Sequence, residues 1–294
     1  MEVPLVDVRG LELAVTRRLE GILAGDHRGL LPGRGREPGD ARPYQPGDDV
    51  RRIDWSVTAR SGRVHVRDTI ADHELETTLV ADRSASMGFG TAGGKHEAAV
   101  SALAVFGFLT QRDGNRVGAA LLEPAGVRWV PHRSGRGHLV STLGRLASPL
   151  PEAAIDLALG LTAVARTIRR RGLVVIASDF MGPGGWERPV RVLAARHDVV
   201  AVEVVDRREL ELTRVGSVLF HDPETGRQRL VDTNDAGLRA RFAMAAGEER
   251  AEVRRLLRSA GAHHLRLDTS GDWVGEVVRF AVDTRRTATR AGRA

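Results

Sequence analysis

Four short apolar runs along this chain predict strands of a buried sheet. Residues 75–80, 173–179 and 198–205 consist mainly of Val, Leu, Ile and Ala, without the strict alternation of a half-exposed strand. We therefore expect helices to cover both faces of these strands, as is typical of parallel sheets. Residues 264–268 predict a further strand near the end of the chain.

Helical periodicity fills the intervals between these runs. Over residues 95–112 one helical face is apolar, with Ala98, Ala102, Val105, Phe106 and Leu109. Two further helices are expected before residue 171. The second of them carries an apolar stripe of Leu157, Leu161, Val164 and Ile168. A long helix is expected over residues 235–259, and a last one is expected to end near residue 287.

This alternation of strands and helices predicts an α/β fold with a doubly wound, mostly parallel sheet. Residues 117–122 and 127–130 are separated by a short turn, so this hairpin is expected to supply an antiparallel edge strand. In such sheets ligands bind outside the carboxyl ends of the strands, where the strand order reverses. Asp82 and Asp179 each follow a buried strand at that edge.

The first 73 residues differ in composition from the rest and predict a preface that packs on the main domain. Residues 10–24 have the spacing of an amphipathic helix, and residues 25–49 are rich in Gly, Pro, Arg and Asp. Residues 63–67 alternate like a strand with one buried face.

The main domain is expected to extend over residues 74–287. It includes an insertion at residues 206–232, in which two short apolar stretches predict a β-hairpin. Residues 288–294 are small and basic, and they predict a flexible tail.

Composition narrows the classes of function. The 294 residues are 42% hydrophobic, yet none of their apolar runs is long enough for a membrane span, and the charged start is unlike a signal peptide. We therefore expect a cytoplasmic protein. Because the chain contains no cysteine, a metal would need oxygen or imidazole ligands. The isoelectric point is about 10.9, but Lys95 is the only lysine and the arginines are spread along the chain, which does not favour nucleic-acid binding.

The loop after the first buried strand carries candidate metal ligands. Asp82, Ser84 and Ser86 alternate with other residues, so their three oxygens can point at one spot, and Asp179 ends a second buried strand. Mg²⁺ and Mn²⁺ prefer such oxygen ligands. The competing interpretation is a helix cap or turn, because Asp and Ser also serve there.

Several motifs then point to known families. The Asp82-x-Ser84-x-Ser86 loop with Asp179 resembles the metal-ion-dependent adhesion site of von Willebrand factor A domains. Three stretches are similar to the signature of the bacterial domain of unknown function 58 family: GRGRE at residues 33–37, RPYQPGDDVRRIDW at 42–55 and DPETG at 222–226. The resemblance implies a von Willebrand factor A-like fold and Mg²⁺ or Mn²⁺ as cofactor. It also implies a MoxR-type AAA+ ATPase and client proteins as partners.

One departure from the adhesion-site pattern affects the metal. Those domains usually supply a threonine before a helix, and here Ile155 stands at the matching position and cannot coordinate a cation. Asp156 is a further candidate if the loop shifts by one residue, although its charge would weaken the attraction of the ion for a partner's acid.

A dense polar cluster in the preface has two interpretations. Ion pairs and caps that fix the preface on the sheet are one, and a partner-facing surface is the other, since Trp and Arg carry much interface energy. The residues concerned are Arg42, Tyr44, Asp48, Asp49, Arg51, Asp54, Trp55 and Arg60.

The resemblance favours a non-enzymatic protein-interaction or adaptor module that works with the ATPase in protein maturation or remodelling. Two alternatives stay open at this point. One is a Mg²⁺-dependent hydrolase or phosphotransferase that uses the same oxygens, and the other is a basic nucleic-acid-binding protein.

Overall fold

The computed structural model describes residues 10, 41–45, 48, 50, 53–67, 75–90, 94–111, 115–151, 153–221, 227–280 and 283. The chain divides into a smaller unit, Pro32–Glu74, and a larger unit that comprises Met1–Leu31 and Leu75–Ala294. Of the helix expected over residues 10–24, only Gly10 is described, and it is helical. The predicted hairpin turn at 222–226 and the predicted tail lie outside the described residues. Packing of the preface on the main domain stays a prediction.

The smaller unit consists of a short antiparallel strand pair and one helix. Strand β1 (Ala41–Pro43) pairs with β2 (His65–Arg67), and helix α1 (Trp55–Ser61) comes between them in the chain. Asp54 caps this helix, because its carboxylate accepts the N–H groups of Ser56 and Val57 at 3.0 and 3.1 Å. The sequence predicted the strand near residues 63–67 but not the helix.

The larger unit contains the main sheet and a separate hairpin. Its strands are β3 (Glu76–Asp82), β4 (Arg116–Glu123), β5 (Gly126–Arg133), β6 (Gly172–Ser178), β7 (Asp198–Val205), β8 (Ser217–His221), β9 (Gln228–Asp232) and β10 (His263–Asp268). Six of them form one sheet in the order β10-β7-β6-β3-β4-β5. All neighbours pair in parallel except β4 and β5, which form the antiparallel hairpin at one edge. The predicted α/β class with a mostly parallel sheet is therefore confirmed.

Helices cover both faces of this sheet. They are α2 (Gly94–Thr110), α3 (Arg136–Leu146), α4 (Leu157–Thr167), α5 (Glu187–Ala194), α6 (Arg207–Leu210) and α7 (Ala236–Ser259), and residues 273–280 are also helical. Successive strand residues point to opposite faces, so Leu79 packs in one core with Phe106 while Val80 packs in the other with Leu161. The sequence did not predict α5 or α6.

Helix α2 differs from the one-sided helix that its periodicity predicts. Fifteen of its seventeen residues are buried, the exceptions being Glu97 and Phe108. Its composition, rich in Ala, Val and Leu with a single basic residue near its start, suits a helix that is covered on nearly all sides.

The insertion after β7 folds as expected into a hairpin. Strands β8 and β9 pair antiparallel with Leu219 opposite Leu230, and both of these side chains are largely exposed. The hairpin forms a two-stranded sheet of its own, separate from the main sheet. Within the described ranges, no helix combines the length and apolar character that crossing a membrane requires.

Candidate functional site at the carboxyl edge of the sheet

The strand order of the main sheet reverses beside β3. The chain first places β4 on one side of β3 and then places β6, β7 and β10 on the other. The crevice between β3 and β6 is therefore the switch point at which α/β sheets bind ligands. Residues in register put the end of β3 beside the end of β6, because Ala81 pairs with Ala177. Asp82 and Asp179 thus lie at this point, as the sequence predicted.

Asp82 is buried and both of its carboxylate oxygens accept hydrogen bonds. Oδ1 accepts the backbone N–H of Ser84 at 2.9 Å, and Oδ2 accepts the hydroxyl of Ser178 at 2.6 Å. Burial raises the pKa of Asp82 above its usual value, and the negative charge of Asp179 adds to the rise. The hydroxyl of Ser178 was not among the predicted site residues, although it directly precedes Asp179.

The two predicted serine ligands contact each other. Ser84 Oγ lies 3.1 Å from Ser86 Oγ, with Ser84 buried and Ser86 half-buried. The Ser86 hydroxyl also helps to keep the pKa of Asp179 low, after the larger influence of Lys95. The loop therefore brings Asp82, Ser84, Ser86 and Asp179 together, as the motif predicted.

A lysine ammonium pairs with Asp179, at one side of this cluster. Lys95, the second residue of α2, is fully buried, and its Nζ lies 2.6 Å from Asp179 Oδ2 and 2.5 Å from Glu209 Oε1. The ring centroid of Phe89 is 5.9 Å from the same nitrogen. Burial by itself would lower the pKa of Lys95, but the two carboxylates outweigh it and the pKa is raised, so the group is a cation at neutral pH.

The charged cluster continues beyond Lys95 to the neighbouring strands. Arg250 of α7 contacts Glu209 at 3.1 Å and Glu203 of β7 at 3.3 Å, and it donates to the backbone carbonyl of Asp179 at 2.8 Å. The second oxygen of Glu203 lies 2.7 Å from Nε2 of His264 on β10. This chain of contacts connects α2, α6, α7 and three strands at one edge of the sheet.

Asp179 keeps its negative charge because of these contacts. Burial would raise its pKa, but the Lys95 ammonium outweighs burial and holds the pKa below the usual value. Its Oδ1 accepts the backbone N–H of Met181 at 3.1 Å while Oδ2 faces the ammonium. The two aspartates of the motif therefore differ in charge preference, with Asp82 biased toward its neutral form and Asp179 toward its anion.

Arg83 fixes the loop that precedes α4. Its guanidinium donates to the carbonyls of Leu146 and Ser148 at 3.1 Å each and to that of Pro149 at 2.5 Å. The N–H of Ala85 donates to the carbonyl of Ala153 at 3.1 Å, so a second contact holds the same loop. The residue between the first two motif positions is thus a structural anchor.

The loop before α4 supplies no oxygen to the cluster from its two predicted positions. Ile155 packs against the apolar core on its face of the sheet. Asp156 is exposed and caps α4, because its Oδ1 accepts the N–H of Leu159 at 2.8 Å. Asp156 therefore serves as a helix cap, which was the alternative to metal binding for residues of this type.

These residues do not fit a divalent cation in the way that the resemblance implies. An ion beside Asp179 would meet the Lys95 ammonium, which already neutralises that carboxylate. Across the described parts of the chain, no three His, Asp or Glu side chains are grouped so that they could hold a metal. Binding of Mg²⁺ or Mn²⁺ stays a prediction from the resemblance.

Comparison with known proteins identifies the family to which this chain belongs. The family described as "Protein of unknown function DUF58" matches residues 40–252. The chain belongs to this family. A relative of this DUF58 chain, an uncharacterized protein of Mycobacterium tuberculosis, is 50% identical over 286 residues, which is 96% of this chain and 90% of the relative. A shorter uncharacterized protein of Mycobacterium avium is 48% identical over 168 residues, which is 56% of this chain and 98% of that protein.

Solved structures show lower similarity to this DUF58 chain. BatB from Bacteroides thetaiotaomicron has a TM-score of 0.42 at 14% identity, with 72% of this chain and 99% of that chain covered. An aerotolerance-related membrane protein from Bacteroides fragilis has a TM-score of 0.46 at 15% identity, with 71% of this chain and 99% of that chain covered. The SpRpn10 VWA domain has a TM-score of 0.37 at 13% identity, with 69% of this chain and 93% of that chain covered. The strand order, rather than these scores, establishes the fold class.

The polar cluster of the DUF58 signature in the smaller unit is only partly described. Asp54 caps α1, Asp48 accepts the N–H of Gln45 at 2.8 Å, and Arg60 donates to the carbonyl of Ser56 at 3.2 Å. Trp55 is 71% exposed, while Tyr44 is half-buried and donates its backbone N–H to Val64. Asp49, Arg51 and the side chain of Arg42 lie outside the described residues. Partner binding by this cluster stays a prediction.

Four residues of the charged cluster at the sheet edge were not predicted from the sequence. Lys95 was noticed only as the single lysine, and Glu203, Glu209 and Arg250 were not singled out. A signal for Glu209 exists, because Asp206 and Glu209 have the three-residue spacing of a capping box, and the structure forms that box. A single lysine near the start of a buried helix is the corresponding signal for Lys95.

Proposed function

We propose that this DUF58 protein is a non-enzymatic protein-interaction module whose carboxyl sheet edge binds a MoxR-type AAA+ ATPase. In this proposal it acts as an adaptor for the maturation or remodelling of client proteins in the cytoplasm. The family resemblance suggests the partner, and the contacts and exposures below support this choice of binding surface.

The observation that carries the proposal is the contrast between the centre and the rim of this edge. The centre is a buried network of paired charges, whereas apolar side chains are exposed after the motif loop and in the first turn of α4. Phe89 follows the motif loop and is 41% exposed, and Leu159 is in the first turn of α4 and is 69% exposed. Exposed apolar anchors on a rigid base are what a protein interface needs, because little conformational entropy is then lost on binding.

Two contacts support a common surface for these loops. The loop after β3 is bonded to the loop before α4 through Ala85 and Ala153. The loop after β6 also reaches α4, since a Cβ on Gly185 would lie 3.9 Å from Cβ of Ala158. Leu159 is the next residue in that helix. Loops from three parts of the chain therefore converge at the reversal of strand order.

The contacts support binding rather than group transfer by the motif serines. The Ser84 and Ser86 hydroxyls face each other, and the hydrogen bonds of the described histidines lead to other parts of the protein, as with His264 and Glu203. A serine nucleophile would need a neighbouring base to activate it. A hydrolase would reveal itself by turnover of a phosphate ester, and we expect none from the isolated protein.

A binding experiment with matched substitutions tests the proposal. We would immobilise the full chain and titrate it with a purified MoxR-type ATPase from the same genome, using biolayer interferometry. Leu159→Ala is expected to weaken binding about 5- to 10-fold, because a central apolar anchor contributes more than about 1 kcal/mol.

Leu230→Ala is the matched control, since Leu230 on the separate hairpin has the same 69% exposure. It is expected to leave the affinity within about 2-fold of the wild type. Phe89→Ala with Phe220→Ala as its control repeats the comparison with aromatic residues, which are 41% and 37% exposed. Equal effects of Leu159→Ala and Leu230→Ala, or no binding of the ATPase by the wild type, would contradict the proposal.

A further inference from the structure

We infer that the ammonium of Lys95 takes the place of a divalent cation at this sheet edge, so that the site is metal-independent. The inference concerns the charge at the centre of the site, and it stands whether or not the proposed ATPase binds the rim.

The use of lysine in this chain is the first observation. Of the 44 basic residues other than histidine, 43 are arginine, and the single lysine is fully buried at the switch point of the sheet. An ammonium is a compact charge with three donors, whereas a guanidinium is a larger planar fork. A buried position between two carboxylates therefore accepts lysine where arginine would not fit. A preference for arginine everywhere else makes this one position stand out.

The position of the ammonium is the second observation. It contacts Asp179 at 2.6 Å, the carboxylate that would complete a metal site with the motif loop, and Glu209 at 2.5 Å. Lys95 also belongs to the first turn of α2, where the helix dipole disfavours a positive charge. The two carboxylates must therefore compensate for both burial and the dipole.

The motif oxygens are the third observation. The oxygens of Asp82 are bonded to Ser84 and Ser178, and the Ser84 and Ser86 hydroxyls are bonded to each other. A divalent cation would have to share these oxygens with their present hydrogen bonds and also lie near an ammonium that has no exposure to water. The ammonium provides what the cation would provide, which is a fixed positive charge that neutralises Asp179 and holds the ends of α2, β6 and α6 together.

The wild-type protein provides the first test. Isothermal titration with MgCl₂ and with MnCl₂ is expected to show no saturable heat at millimolar metal. The melting temperature is expected to be the same in EDTA and in either metal. Saturable binding of Mg²⁺ or Mn²⁺ that Asp82→Ala abolishes would overturn the inference.

A variant without the ammonium provides the second test. Lys95→Ser leaves Asp179 and Glu209 beside a small space without their cation, and it is expected to gain Mn²⁺ binding. Its melting temperature should then rise by about 5 °C on saturation with Mn²⁺ and fall again in EDTA. A folded Lys95→Ser protein that binds no metal would also overturn the inference.

A control variant and the wild-type titration keep the result decisive. Lys95→Met fills the space without a charge and is expected to bind no Mn²⁺, so that a gain by Lys95→Ser reports on the vacated position. If Lys95→Ser does not fold, the wild-type titration decides alone. None of these measurements uses the ATPase, so a failure here is separate from a failure of the proposed interface.

Discussion

At the scale of single residues, Lys95 determines the character of the sheet edge. Its ammonium lies between Asp179 and Glu209 with no access to solvent. In the folded protein the ammonium keeps the buried carboxylate of Asp179 ionised and pairs with it. Removal of one partner from such a group costs much more than the pair contributes, because the remaining charges are left without compensation.

The first prediction is therefore a large loss of stability in Lys95→Met. We expect the free energy of unfolding to fall by about 3–5 kcal/mol. Methionine has a shape similar to that of lysine but no charge, so Asp179 and Glu209 lose their buried counter-ion. Urea denaturation followed by circular dichroism measures it. Arg255→Met is the control, because its ion pair with Glu252 is exposed to solvent, and no measurable change is expected. A change in Lys95→Met no larger than in the control would contradict this account of the site.

A second residue-scale prediction concerns His96, the neighbour of Lys95 in α2. Burial, followed by the charge of Arg83, lowers the pKa of His96 to about 4. The unfolded state, with a pKa of about 6.5, then binds more protons than the folded state between these values. The contribution of neutral His96 to stability is fully present above pH 6.5 and is lost as the pH falls toward 4.

The size of this effect is measurable. Over that interval His96 should account for a fall of about 3 kcal/mol in the free energy of unfolding. Urea denaturation at a series of pH values measures the slope, and His96→Gln should reduce it. The matched control His263→Gln, at an exposed position on β10, should leave the slope unchanged. Equal slopes in the wild type and His96→Gln would show that the buried imidazole is not the group responsible.

At the scale of elements, the loop before α4 shows how a predicted ligand can serve as a cap instead. Asp156 accepts the N–H of Leu159 at 2.8 Å and so satisfies one of the free donors of the first helical turn. The same residue types begin helices and coordinate cations, and a linear motif does not distinguish the two roles. Only the direction of the side chain does.

The third prediction follows from this role. Asp156→Ala should lower the free energy of unfolding by about 1 kcal/mol, the usual value of an N-cap, and Asp156→Asn should have little effect. Both results should be the same in EDTA and in millimolar Mg²⁺, as measured by thermal unfolding. Destabilisation of Asp156→Asn that appears only with Mg²⁺ present would instead favour a role as ligand.

The elements of the larger unit were largely predictable from local pattern. The apolar runs predicted the ends of β3, β6 and β7 to within about two residues. Strands that are buried on both faces form continuous apolar runs, which can be recognised in the sequence. The short helices α5 and α6 were missed. Helix α6 has four residues, too few for a periodic signal, and α5 has eight and begins shortly after a glycine-rich stretch.

The site was predictable in its sequence-local part and not beyond it. Asp82, Ser84 and Ser86 belong to one loop, and Asp179 follows from the rule that parallel strands end at a common edge. Lys95, Glu209 and Arg250 come from three helices that are far apart in sequence. Which charges meet at that edge depends on how these helices pack, and the sequence pattern contains no record of that packing.

At the scale of the whole molecule, the edge network connects elements that are distant in the chain. Glu209 contacts Lys95 of α2 and Arg250 of α7, and Glu203 extends the contacts to His264 of β10. The network joins the ends of these elements, and the proposed interface uses exposed side chains after β3 and in the first turn of α4. The hairpin of β8 and β9 also exposes apolar residues, but it forms a separate two-stranded sheet.

Hydrogen–deuterium exchange of the full chain with and without the MoxR-type ATPase tests this central claim most directly. Our account predicts slower exchange on binding in residues 83–90, 153–159 and 179–186. It predicts unchanged exchange in β8 and β9, which serve as the internal control. Protection confined to that hairpin or to the smaller unit, with none at the three edge loops, would contradict the account.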